Sequence, residues 1–333
     1  MKAEIEARFT DKIRTEFAHR FLVEPKSLKL LDGFENLVLE GVREGRPCIL
    51  RLTHHTHRTR DKVEAELDWI DFLAGKGAPV CVPLRSREGN LTEYIETDAD
   101  GFVAVLFEKA PGSMVERDQW TPAMTFNRGV MHGRMHRLTR DYQPPSETVR
   151  RWNWHEEHDF VAYRDYLPEG DEIIGDRFEE LLDDLRSIPT DGDSYGLCHV
   201  DAHTGNIFFD GDRPTLFDFD DSAYDFFIAD LAIALFYAVP KKGTEAEIRA
   251  FSREFLTRLL EGYRTEFGLD NKWREMIPKI LRRRQMVLYV AIYRGFDSDG
   301  FDEFCRAYID RNRSRIIDRT PFVDLDWTEF ELS

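Results

Sequence analysis

The stretch His199-Val200-Asp201-Ala202-His203-Thr204-Gly205-Asn206 runs on through Ile207-Phe208-Phe209 and Asp210-Gly211-Asp212 to Leu216-Phe217-Asp218-Phe219-Asp220-Asp221. An Asp-Gly turn between two apolar runs predicts a β-hairpin. Centring the turn on Asp212 sets residue 206 opposite residue 218, so that Asn206 and Asp218 meet at the open end of the hairpin and the loop bearing Asp201 enters beside them. A magnesium ion takes a few hard oxygen ligands and keeps room for phosphate oxygens and water. An amide oxygen beside a carboxylate, with a further carboxylate nearby, supplies that donor set.

Outward from this hairpin the chain changes character. Ile5, Phe9, Ile13, Phe17 and Phe21 recur at every fourth position and predict an amphipathic helix ending before Pro25. Residues 34–42 and 48–52 read as strands joined by a turn at 43–46 that contains Gly45. Alternation puts Cys48, Leu50 and Leu52 on one face of the second strand, Ile49 and Arg51 on the other. Val63, Leu67, Ile70 and Leu73 mark a helix that stops near Gly75 and Gly77, and residues 91–95 and 102–107 a hairpin. From Pro111 helical periodicity takes over: Thr121 before Pro122 is a helix start, and Phe178, Leu181, Leu182 and Leu185 share a face. The pattern predicts an α+β chain of two lobes. A small β-rich lobe with one key helix spans 1–107, a connector 108–112, and a larger, mostly helical lobe 113–333.

The chain's 333 residues, 42% of them apolar, suffice for two lobes with sizeable cores. With 46 basic against 63 acidic residues the formal charge is −17, which repels nucleic acid and anionic membrane surfaces. The longest apolar run, 231–239, is too short to cross a bilayer. Cys48, Cys81, Cys198 and Cys305 are scattered, as in a reducing compartment, and Lys2 begins a charged N-terminus, so a cytoplasmic location is expected.

The hairpin and its loop carry what phosphoryl transfer needs: a base for the attacking hydroxyl, and ligands for the metal that bridges nucleotide phosphates. The spacing His-x-Asp-x₄-Asn of residues 199–206 matches a kinase catalytic loop, and Asp218-Phe219-Asp220 stands where kinases carry a metal-binding Asp. At these residues the chain resembles the aminoglycoside phosphotransferase and choline kinase-like superfamily, with its protein-kinase-like fold. Within it, the resemblance is closest to the bacterial stress-response kinase and spore-coat-associated branches. It runs over nearly the whole length and is most specific over 197–235, including Asp230-Leu231-Ala232.

The resemblance implies ATP and Mg²⁺ as cofactors, Asp201 as catalytic base, Asn206 and Asp218 as metal ligands, and His199 as the residue orienting the catalytic loop. Asp230 would brace that loop. Arg51 stands where a phosphate-binding Lys is expected, with Glu66 as its helix partner and Glu64 as the alternative. Residues 107–110, including Glu108 and Ala110, would form the hinge that reads adenine, Gly33 would lie in the nucleotide loop, and 131–138, with His136, would be the helix preceding the catalytic core. The chain departs from the family pattern at Val200, where a glycine is usual, and in lacking a glycine triplet around Gly33.

Other polar clusters carry less. The segment His54-His55-Thr56-His57 offers no carboxylate or Cys at ligand spacing, and His155-Glu156-Glu157-His158 lacks the HExxH spacing and reads as an exposed helix start. The run Arg282-Arg283-Arg284 reads as a solvated or carboxylate-paired face. Three functions compete: a kinase for a small hydroxyl-bearing molecule, a Ser/Thr protein kinase of the stress-response type, and a non-catalytic nucleotide-binding scaffold. Intact Asp201, Asn206 and Asp218 disfavour the scaffold, and the shortness of 218–230, which leaves no obvious activation loop, favours the small molecule. Asp220, Asp221 and Asp225, with the net negative charge, predict an amine-bearing acceptor; the competing reading has them hold waters or cap the helix near Ile228.

Overall fold

The computed structural model describes residues 8–31, 35–97, 101–296 and 300–333. Helix α1 (Asp11–Arg20) starts where the Thr10 side chain accepts the Ile13 N–H. It is shorter than the periodicity suggests: Phe9 precedes it, and Ile5 lies outside the described residues. Strands β1 (Lys29–Leu31), β2 (Leu37–Arg43), β3 (Arg46–His54), β4 (Pro83–Leu84), β5 (Thr92–Glu96) and β6 (Gly101–Glu108) form one antiparallel sheet. Its order is β1-β2-β3-β6-β4, with β5 also on β6. The β2–β3 turn holds Glu44 and Gly45 at φ 51° and 75°, the left-handed pair that matches the twist of a tight hairpin. Strands β1 and β4 escape a reading by pattern because they are only three and two residues long.

Strand β6 is buried on both sides. Phe102, Ala104 and Leu106 pack with Phe17, Phe21, Leu50 and Leu52, while Val103, Val105 and Phe107 face α2 (Arg60–Gly75). On α2, Val63, Leu67, Ile70 and Leu73 are all fully buried, each contributing about 1.5–3 kcal/mol of transfer free energy. The same core continues through Met131, Met135, Ile207, Leu216 and Phe219, so α2 is fastened directly to the hairpin of the larger lobe.

The larger lobe contains α3 (Pro122–Thr139), α4 (His158–Val161), α5 (Glu172–Arg186), α6 (Ile228–Ala238), α7 (Glu245–Tyr263), α8 (Ile277–Gly295) and α9 (Glu303–Ile317). Thr121 caps α3 by accepting the Met124 N–H, with Pro122 in the first turn. Between the helices, β7 (Tyr195–Cys198) pairs with β10 (Ala223–Phe226), and β8 (Ile207–Asp210) with β9 (Arg213–Leu216). Among the described residues no helix is long and apolar enough to cross a membrane.

The register of the β8–β9 hairpin differs from expectation by one residue. Asp210 pairs with Arg213, leaving a two-residue turn of Gly211 and Asp212 with Gly211 at φ 66°. Asn206 therefore faces Phe217, whose N–H it accepts at 3.0 Å, and Asp218 lies one step beyond. A glycine that readily takes positive φ at the first turn position shortens the loop, and the register follows from loop length.

Candidate active site

The loop after β7 is held from behind by a buried carboxylate. Asp230, in the first turn of α6, accepts the His199 N–H at 3.0 Å, the Val200 N–H at 2.8 Å and His136 Nε2 at 3.0 Å. Burial disfavours its charge, but the hydrogen bond and charge of His136 outweigh that and hold the carboxyl well below the usual range. His132, His136 and Asp230 lie close enough to suggest a metal centre. Asp230 already accepts from His199, Val200 and His136, so His136 and Asp230 brace the loop, while His132 stands 4.0 Å off without a hydrogen bond among the described residues. The bracing also accounts for Val200, which sits at φ 55°. A β-branched residue there costs about 1–2 kcal/mol relative to glycine, and the two N–H bonds to Asp230 pin the conformation.

His199 is fully buried. Its Nε2 donates to Phe217 O at 3.0 Å and its Nδ1 accepts the Asp201 N–H at 3.3 Å, so the ring ties the loop to β9's exit. Burial lowers its pKa and keeps it neutral. Asn206 donates Nδ2 to the Asp201 carbonyl at 3.0 Å. That bond fixes the amide and leaves Oδ1 as a free acceptor on the cleft side. Asp218, two residues past the end of β9 at φ 62°, is about half exposed to the cleft, and its Oδ1 is 3.7 Å from Arg51 Nη1.

Arg51 and Glu66 meet as a fork. Nη1 and Nη2 of Arg51 reach Oε1 and Oε2 of Glu66 at 2.8 and 2.7 Å, with both side chains buried. Burial opposes charge on Arg51, but Glu66, with Asp220 and Asp218 beyond, raises its pKa and keeps it cationic. Removing either partner would strand a buried charge, at a cost of about 3–5 kcal/mol. Glu64 is turned away, bound by Arg60 at 2.7 Å and Thr92 at 3.1 Å.

A cleft of about 800 Å³ opens between the lobes, lined by Val38, Ile49, Arg51, Phe107, Asp201, Asn206, Phe217 and Asp218, with Glu108 and Ala110 at its edge. The Glu108 and Lys109 N–H groups are taken by Val82 O at 2.9 Å and Pro47 O at 3.3 Å. At Gly112, φ 78°, a Cβ would lie 2.0 Å from Phe209 O, so only glycine lets the connector lie against β8. Gly33 lies outside the described residues. The donor set suits a hard divalent cation: the free amide oxygen of Asn206, the exposed carboxylate of Asp218, and an Asp220 Oδ1 that is buried without a hydrogen bond.

A second cavity, of about 200 Å³, adjoins the cleft: Glu35 and Asp221 line both. Its walls include Trp152, Trp154, Phe160, Glu157, Asp159, Arg58 and Arg294. Asp159 is buried, which pushes its carboxyl up to about 6 although Arg294 Nε stands 3.2 Å away.

The expected acceptor field needs correction here. Asp225 is fully buried and ion-paired with Arg283, so it presents no free charge to a ligand. Asp220 is engaged through Oδ2: burial disfavours its charge, but His57 Nε2 at 2.6 Å and nearby Arg58 hold its carboxyl well below the usual range. Asp221, about half exposed, is bound by Arg58 at 2.9 Å.

Of the two readings of the run 282–284, the carboxylate-paired one holds: Arg283 pairs with Asp225 and Arg284 with Asp201. Sequence reasoning did not give Arg284, Tyr237, Arg128 and Arg151 roles at the site. Buried Arg128 donates to Ala202 O, and buried Arg151 to Asp220 O and to Ser222 O at 2.7 Å, so each clamps one of the site's loops through backbone carbonyls.

The chain is similar to known proteins. A relative from Bacillus subtilis, amicoumacin kinase, is 32% identical over 323 residues, covering 96% of this chain and 95% of its own. A solved amicoumacin kinase, in complex with AMP-PNP, Ca²⁺ and Ami, superposes with a TM-score of 0.93 at 31% identity, covering 99% of each chain. A microcompartment-associated aminopropanol kinase, 20% identical, shares the fold with a TM-score of 0.69 over 92% of this chain and 93% of its own. Residues 28–270 match the family described as "Phosphotransferase enzyme family". With its small antiparallel-sheet lobe, its helical lobe and this match across most of its length, the chain belongs to the phosphotransferase enzyme family, enzymes that transfer phosphate to hydroxyl groups.

Proposed function

We propose that this chain is an ATP- and magnesium-dependent kinase for a hydroxyl group on a small, amine-bearing molecule, acting in the cytoplasm. One observation carries the reading. Asp201 lines a cleft of about 800 Å³ that adjoins, through Glu35 and Asp221, a cavity of about 200 Å³ walled by its neighbour Val200 and its partner Arg284, room for a small acceptor beside the nucleotide. ATP is the donor substrate, as the AMP-PNP in the solved amicoumacin kinase supports. We place its base against the Glu108 carbonyl and the Ala110 N–H, and its phosphates toward Arg51. Arg51 is held rigid by Glu66 and offers fixed positive charge to the phosphates. Asn206 and Asp218 would hold the magnesium ion, which when bound supplies charge neutralisation at the phosphates. Asp201 accepts the acceptor hydroxyl's proton, while His199 and Asp230 keep its loop in place. In the smaller cavity Glu35, Glu157, Asp159 and Asp221 are paired with Arg58 and Arg294, so the reading of a cationic, partly apolar acceptor rests on the aromatic walls that Trp152, Trp154 and Phe160 supply.

The acceptor reading is tested by Mg-ATP consumption against amino alcohols, aminoglycosides, homoserine and a generic protein substrate, with Asp201→Asn as the blank. Turnover is expected with amine-bearing small molecules, and kcat/KM for the best of them should fall as salt rises. A flat salt profile, or a best substrate that is neutral or anionic, would retire the cationic acceptor.

Metal binding is tested separately. Asn206→Ala and Asp218→Ala should each weaken Mg-ATP by roughly tenfold or more. Adenosine, held at the connector, should bind as before. Equal losses for both ligands in a calorimetric titration would count against this placement.

A further inference from the structure

Arg284 has no counterpart among the residues that the sequence reading brings to the site, yet it is bonded to the proposed base. It projects from α8, and the neighbouring Arg283 anchors that helix by pairing with Asp225 and lying over the Trp154 ring at 4.7 Å. Nη2 of Arg284 donates to Asp201 Oδ1 and to the Tyr237 hydroxyl. Its Nε donates to the same hydroxyl at 3.0 Å, and the Tyr237 O–H in turn donates to Asp201 Oδ1 at 3.4 Å. Two groups, Arg284 Nη2 and the Tyr237 hydroxyl, thus close on one carboxylate oxygen, and Arg284 Nε ties the two together. Among the described residues the other oxygen, Oδ2, has His203 Nε2 as its neighbour, at 3.5 Å. Arg284 itself lines the smaller cavity, and Asp201 lines the cleft.

A carboxylate free to rotate about χ2 presents either oxygen to an incoming hydroxyl, and most orientations are unproductive. A planar fork locked on Tyr237 and on one oxygen removes that freedom. We propose that Arg284 is a positioning residue: with Tyr237 it fixes the Asp201 carboxylate so that Oδ2 faces the acceptor hydroxyl. This rests on Asp201 being the base.

A double-mutant cycle separates the two claims. Single-turnover phosphoryl transfer is measured for the parent, Arg284→Met, Asp201→Asn and the double variant, with KM for ATP and Tm recorded for each. Arg284→Met is expected to lower kcat roughly 10–100-fold with KM for ATP unchanged, and to add less than about twofold in the Asp201→Asn background. The same factor in both backgrounds overturns the proposal, because Arg284 would then act on the acceptor or the fold rather than through Asp201. An unchanged kcat in Arg284→Met overturns it as well. A parent-like rate for Asp201→Asn would instead remove the base itself. If Arg284→Met does not fold, Tyr237→Phe and Arg284→Lys enter the same cycle; each keeps part of the lock and should lose less, again only when Asp201 is present.

Discussion

Asp201→Asn is expected to fold as the parent does, to bind adenosine unchanged, and to transfer phosphate on the order of 10²–10⁴ times more slowly, the usual worth of a positioned general base. The substitution is close to isosteric. An amide oxygen can still accept from Arg284 and Tyr237, and the backbone carbonyl that receives Asn206 Nδ2 at 3.0 Å is untouched. What is lost is a group able to take the proton. In the parent, burial raises the Asp201 carboxyl against the opposing pull of Arg284, and a raised pKa makes a stronger base. The comparison is a rapid-quench single turnover at saturating Mg-ATP, with thermal melts alongside. A rate within a few-fold of the parent would show that Asp201 is not the base, whatever its place in the cleft.

The parts of this site that were legible in the sequence are those set by short-range rules. The spacing of His199, Asp201 and Asn206 and the Asp-Gly turn lie within one loop and hairpin. Strand alternation put Arg51 on the face opposite Cys48, Leu50 and Leu52, and helical period put Glu66 beside the buried stripe of α2. Both inferences needed only local geometry, and the two side chains do meet.

The hairpin register was missed by one because it turns on which two residues form the turn. Asp225 was misread for a different reason. Its counter-charge, Arg283, is 58 residues away, and no local pattern announces such a partner. The same holds for Arg284 and Asp201, 83 residues apart. A faint signal was available for Arg284, however. Ile277, Ile280, Leu281 and Leu288 form a helical stripe at i, i+3, i+4 and i+11, and position 284, at i+7, lies on it. A charged residue on an apolar stripe must find a buried partner, and the carboxylates of a catalytic loop are natural ones.

Asp230→Ala should do the opposite of Asp201→Asn, leaving the proton-accepting group in place and removing what holds it. The carboxylate is fully buried and satisfies the N–H groups of His199 and Val200 and the Nε2 of His136. Taking it away leaves these donors without partners in a region closed to water, at about 1–3 kcal/mol each. It also frees Val200 to leave the left-handed conformation at φ 55°, which costs energy to hold and which sets the path of the chain into Asp201. The sum is a loss on the order of 4 kcal/mol, or a fall in Tm on the order of 10 °C for the larger lobe. Activity well below the new Tm should fall too, because Asp201 is no longer presented at a fixed position, whereas the KM for ATP should move less than kcat. Asp230→Asn keeps one acceptor oxygen and should lie between the parent and the alanine variant in both Tm and rate. A melt of Asp230→Ala within about 2 °C of the parent, or a lowered Tm with parent-like turnover in the folded fraction, would show that the catalytic loop holds its shape without this brace.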